Sequence, residues 1–128
     1  MIMLDTSFLV DALTGNKASA SASALMRTLG QGEKITLCSI VLYEWLRGPR
    51  SHAELKMQEA LFPGDSAIPF EEAEARLSAE LYRTLPRART RPADIAIAAT
   101  AIRHEAHLWT LNTKDFVDIP GLSLWRPR

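Results

Sequence analysis

The sequence predicts a three-layer α/β/α sandwich on a four- to five-stranded, mostly parallel sheet, and three observations carry that reading. Short apolar runs of strand character alternate with longer segments whose apolar residues recur at helical spacing; such alternation implies a parallel sheet covered on both faces. The chain has 128 residues, which suits one domain able to bury about two-thirds of its unfolded surface. No internal repeat, linker or low-complexity stretch divides it, so residues 1–128 are expected to form a single domain.

The elements follow in chain order. Met1 to Leu4 is an apolar run typical of a buried strand, and it ends at once in Asp5, Thr6 and Ser7. Those three accept well from free backbone N–H groups, so they read as the cap of a helix through Phe8-Leu9-Val10 and Ala12-Leu13. In NKASASASALMRTLGQG, Ala18, Ala22, Leu25, Met26 and Leu29 recur at helical spacing, and Gly30 and Gly32 stop that helix. ITLC (35–38) reads as a short strand. Ser39 is expected to cap a helix through Leu46 that Gly48-Pro49 ends. Ser51 starts a further helix, SHAELKMQEALF, stopped by Pro63-Gly64. SAIPF is a weak strand whose proline marks an edge or an end. Phe70 to Leu85 is amphipathic, with Ala73, Leu77, Leu81 and Leu85 on one face. After the loop PRARTRP, Pro92-Ala93-Asp94 opens a helix through Ile102. HLWTL is a strand, Thr113 to Phe116 a helical turn, and LSLW the last strand.

Fifteen Lys and Arg balance 15 Asp and Glu, so any nucleic-acid partner must be read from local clusters. Cys38 is the single cysteine; without a disulfide framework, a reducing cytoplasm is the expected compartment and a small core residue its expected role. No stretch approaches the ~18 consecutive apolar residues of a membrane span, so no membrane partner is expected.

The acidic residues are more informative. Asp5 ends the first strand, Glu44 lies on the helix after the second, Asp94 opens its helix, and Asp115 lies beyond HLWTL, three residues after Asn112. Each has a bland reading as cap, solvated helix residue, dipole partner or turn residue. Together they fall just past strand ends or in first helical turns, where open α/β sheets place their sites. Carboxylates converging there repel and raise one another's pKa. A hard divalent cation, Mg²⁺ or Mn²⁺, resolves the conflict, and such a cluster suits metal-assisted phosphodiester hydrolysis.

The ordered series LDTSFLV, SIVLYEWLRG, DIAIAATA, TLNTKDF and LSLWRP resembles the PIN domain along the whole chain, and within it the VapC-type toxins of prokaryotic toxin–antitoxin pairs. The resemblance implies a PIN-like fold and Mg²⁺- or Mn²⁺-dependent RNA cleavage. Asp5, Glu44 and Asp94 match the family's acids, with Thr6 or Ser7 as accompanying hydroxyl. Asp5 and Asp94 would hold the ion and Glu44 would hold or orient water. The fourth acidic position falls on either Asn112 or Asp115. A small antitoxin partner and a homodimer are implied as well.

RNA also needs positive charge near the site. Arg83, Arg87, Arg89 and Arg91 crowd before Asp94, while Arg47 and Arg50 flank the end of the Glu44 helix. Arg47, Arg50, Arg87, Arg89 and Arg91 are the expected RNA contacts, the alternatives being a solvated loop or pairing with an acidic antitoxin segment. His104 and His107 read as structural, and the three tryptophans as core. A catalytically weak RNA- or protein-binding module keeps the fold without the activity. An aspartyl-phosphate enzyme would want a second Asp where Ser7 stands.

Overall fold

A computed structural model describes residues 1–15 and 19–127, so Ala18, read as part of the second helix, lies outside the described residues. The chain runs β1 (Ile2–Leu4), α1 (Thr6–Leu13), α2 (Ala20–Gly30), β2 (Ile35–Thr36), α3 (Ser39–Arg47), α4 (His52–Leu61), α5 (Glu72–Thr84), α6 (Pro92–Arg103), β3 (His107–Trp109) and β4 (Ser123–Leu124). The four strands lie in the order β2-β1-β3-β4, and every pairing is parallel. The α/β architecture is as expected, with the strand count at the lower bound. SAIPF does not form a strand: Ile68 makes only an isolated parallel bridge to Cys38, because Pro69 cannot continue a ladder.

Burial explains the strand order. Ile2, Met3 and Leu4 have no exposed surface, the signature of a central strand covered on both faces. Phe8 of α1 stacks on Trp109 of β3 with ring centroids 4.0 Å apart, and Trp45 and Phe116 complete the large buried side chains. From α6, Ile95, Ile97, Ala98, Ala99 and Ala101 enter the core, so this helix is covered nearly all round. Cys38 is fully buried, and burial pushes its thiol up to about 11, which keeps it protonated and inert.

Helix starts divide into those the sequence marks and those it does not. Ser51 caps α4 through a reciprocal pair with Glu54, and Glu71 with Glu74 does the same for α5. Ser39 is not a cap. The helix starts one residue earlier than that reading: Cys38 occupies the cap position without a side-chain bond, Ser39 is already helical, and its N–H donates to the Ile68 carbonyl (2.8 Å). The α3 helix is also less covered than its composition implies: Tyr43 and Leu46 are exposed. His104 pairs with Glu74 of α5 at 3.2 Å, a structural role, and His107 begins β3. Among the described residues no helix is long and apolar enough to cross a membrane.

Candidate active site

Parallel strands end on one side, and β1 and β3 set the site's position there. Leu4 pairs with Trp109, and the Asp5 N–H donates to the Trp109 carbonyl (2.9 Å). The ladder therefore continues one residue, placing Asp5 beside Thr110. Asp5 stands at the cap position of α1 with extended backbone, yet its carboxylate caps nothing. Instead Oδ2 accepts from Ser7 Oγ (2.9 Å) and Thr110 Oγ1 (2.7 Å), leaving Oδ1 without a donor among the described residues. A carboxylate only 4% exposed is thus oriented by two hydroxyls and spends nothing on its own helix. Thr6 and Ser7 do not cap α1 either. Ser7 orients Asp5, and Thr6 Oγ1 donates to Glu44 Oε1 at 2.5 Å, tying the start of α1 to α3.

Glu44 Oε2 meets Arg47 at 3.5 Å, the outer limit of a hydrogen bond. Asp94 sits in the first turn of α6. Burial first, then the charges of Asp5, Asp115 and Glu44, push its carboxyl up to about 6, against the lowering pull of Arg91. Burial is the largest cause, and the charges of the other three acids add to it. Asp115 is exposed at the end of the short Thr113–Asp115 turn. Asn112, also exposed, opens that turn, and its N–H donates to Thr110 Oγ1 (3.0 Å).

Among the described residues no three His, Cys, Asp or Glu side chains form a ready-made ligand set. A Mg²⁺-type cation does not require one, since it keeps several waters beside one or two carboxylates and a substrate phosphate. The donors at this edge are all hard oxygens: the Asp5 carboxylate with its free oxygen, the mutually repelling Asp94, and Glu44. The residues present fit such an ion.

The arginines separate. Arg87 and Arg89 are exposed on either side of Ala88, and Arg47 is exposed on α3. Arg91 is a correction. It is buried, and its guanidinium forks onto Asp118 at 2.7 and 3.0 Å, so it does not face a phosphate groove. Arg50 is largely committed too: its Nε donates to the Trp45 carbonyl (3.0 Å) and its guanidinium lies 4.4 Å from the Trp45 ring centroid. Gly48 makes room for it, since a Cβ there would stand 2.7 Å from Arg50 Nη2. Thr110 and Asp118 were not legible as site residues. The one signal for Thr110 was a hydroxyl ending the strand beside β1; Asp118 had none.

A family model described as PIN domain matches residues 2–122. The chain is 35% identical over 125 residues to Ribonuclease VapC19 of Mycobacterium tuberculosis, covering 95% of this chain and 97% of that protein. Among solved structures it is similar to a toxin-antitoxin complex from Klebsiella pneumoniae (28% identity, TM-score 0.69, 95% of each chain). It is also similar to VapBC2 from Rickettsia felis bound to a DNA fragment from its promoter (26% identity, TM-score 0.72, 98% of this chain and 100% of that one). With the match spanning nearly every element that builds the acidic edge, the chain belongs to the PIN domain family.

Proposed function

We propose that this chain is a Mg²⁺- or Mn²⁺-dependent endoribonuclease that acts as the toxin of a toxin–antitoxin pair in the cytoplasm. The observation that carries the reading is geometric: Asp5 ends β1 with its carboxylate fixed by Ser7 and Thr110, the Thr6 hydroxyl ties Glu44 of α3 to the start of α1 beside it, and Asp94 lies in the first turn of α6. Its likeness to a protein named a ribonuclease supports RNA as substrate, and its likeness to a toxin-antitoxin complex supports a small antitoxin as partner.

Asp5 and Asp94 would hold the cation, which when bound supplies a lowered water pKa and neutralises charge on the phosphate. The chain's own work is orientation. Ser7 and Thr110 fix the Asp5 carboxylate through Oδ2, and Thr6 holds Glu44 where it accepts a proton from, or aligns, the attacking water. Asn112 presents an amide to a phosphate oxygen. Arg47, Arg87 and Arg89 supply the exposed positive charge that RNA needs. A homodimer would bring two such edges together.

Induced expression without a partner should arrest growth and leave discrete RNA ends, mapped by end sequencing. Asp5→Asn, an uncharged and poorer ligand for a hard cation, should abolish both. Undiminished arrest by a soluble Asp5→Asn protein would defeat the proposal.

A further inference from the structure

The sequence groups Arg91 with phosphate-binding arginines, and the fold gives it other work. It immediately precedes α6, three positions ahead of Asp94, and is 8% exposed. Nη1 donates to the Pro86 carbonyl (3.2 Å) and Asp118 Oδ2 (3.0 Å), and Nη2 to Asp118 Oδ1 (2.7 Å) and the Asp115 carbonyl (2.7 Å). Paired contacts of this kind fix orientation in a way a lysine cannot reproduce.

These bonds join the two segments that carry Asp94 and Asp115. On its own side, the Thr113–Asp115 turn is closed by the Asp115 N–H on the Asn112 carbonyl (2.9 Å). Phe116 and Ile119 anchor it in the core. Apolar burial is non-directional, so it fixes the depth of this turn better than its lateral position. The directional restraint comes from Arg91. Two carboxylates that repel need one, or they drift apart. Because Asp118 neutralises the guanidinium, what Arg91 adds is geometry more than field.

We infer that Arg91 is a positioning residue of the acidic edge. Through the Asp118 fork and the Asp115 carbonyl it sets the distance between the turn bearing Asn112 and Asp115 and the helix start bearing Asp94. The inference rests on the ribonuclease reading only in what that distance serves.

The test uses the full chain as Arg91→Lys, with Asp118→Asn as a milder variant that leaves the bond to the Asp115 carbonyl in place. It measures kcat and KM for RNA cleavage, Mn²⁺ affinity by calorimetry, and hydrogen exchange at the amides of Thr113 to Phe116. Positioning predicts kcat lower by about 10–100-fold in Arg91→Lys, the range for residues that orient ligating groups, with KM within about 2-fold. Mn²⁺ should bind more weakly and the turn should exchange faster, both to a smaller degree in Asp118→Asn. A raised KM at unchanged kcat would make Arg91 an RNA contact. A lower melting temperature with unaltered kcat, Mn²⁺ affinity and exchange would make the pair merely structural. Either result overturns the inference. If the unsubstituted protein cleaves no RNA, the ribonuclease reading fails alone, and Mn²⁺ affinity with exchange still decides the positioning claim.

Discussion

Asp94 is where the cost of the site is concentrated. Its carboxyl is pushed up to about 6 by burial and by Asp5, Asp115 and Glu44, so the fold favours its neutral form. The stabilisation from binding that proton is complete below the unfolded-state pKa and is lost as pH rises through about 6. Asp94→Asn removes the charge, so in chelator at pH 8 the variant should melt higher than the parent. After discounting for solvent screening the gain is about 1 kcal/mol, or roughly 3–5 °C for a domain of this size. It should vanish below about pH 4, where the parent carboxyl is also neutral. Thermal melts across that range would check it, and a lower Tm at pH 8 would show that the acids do not repel. The same residue should lose Mn²⁺ affinity and RNA cleavage together. Glu44→Gln should lose cleavage most, and Asp115→Asn should retain activity within about 10–100-fold. Calorimetry and a cleavage assay on the three variants would rank them. A dead Asp115→Asn protein without Mn²⁺ binding would make Asp115 a direct ligand. The acids were legible because each interrupts, opens or follows an apolar run. Thr110 was not, because a threonine inside HLWTL fits a strand, and only the β1–β3 register turns it onto Asp5.

Elements show where local rules hold and where tertiary contacts override them. The Ser51–Glu54 cap works as its spacing implies, and Ser51→Ala should cost about 1 kcal/mol. Ser39 fails as a cap because its backbone is already helical: Cys38 holds the cap position, and the Ser39 N–H pairs with the Ile68 carbonyl of a distant segment. The loop PRARTRP illustrates both outcomes. Its arginines look alike in sequence, yet Asp118, 27 residues later, draws Arg91 inward, while Arg87 and Arg89 stay exposed around the short Ala88–Thr90 turn. Arg87 does so at φ 54°, a left-handed conformation costly for a side-chain-bearing residue. Arg87→Gly should therefore relieve strain, raising stability by about 1 kcal/mol, while weakening RNA binding. Its partner experiment, Arg87→Ala with Arg89→Ala, should reduce the slope of log affinity against log salt by about 0.7 for each phosphate the loop no longer neutralises. An unchanged slope would assign the loop to solvent or to the antitoxin.

At the scale of the molecule, the strands are too short to account for the fold by themselves. β2 and β4 have two residues each, and cohesion comes from helices covering both sheet faces. What the parallel order β2-β1-β3-β4 achieves is alignment of strand ends, and that alignment, implied by the alternation of strand and helix patterns, made the acidic edge foreseeable. The net charge of zero hides the consequence: acids gather at one edge, where Arg47 beside Glu44 and Arg91 near Asp94 offset their charge only in part. A cation bound there should therefore stabilise the whole chain. At a free Mn²⁺ concentration of 100 times its dissociation constant the gain is about 2.7 kcal/mol, equivalent to roughly 10 °C in melting temperature. Ionic strength alone should not reproduce the shift, since screening by a monovalent salt lacks coordination. Asp5→Asn should abolish most of it, because the free Oδ1 beside the two hydroxyl bonds is the oxygen best placed to meet the ion. Melts with Mn²⁺, with matched KCl, and with Asp5→Asn separate these terms. An equal rise from KCl, or an undiminished Mn²⁺ shift in Asp5→Asn, would show that the edge is merely a charged surface.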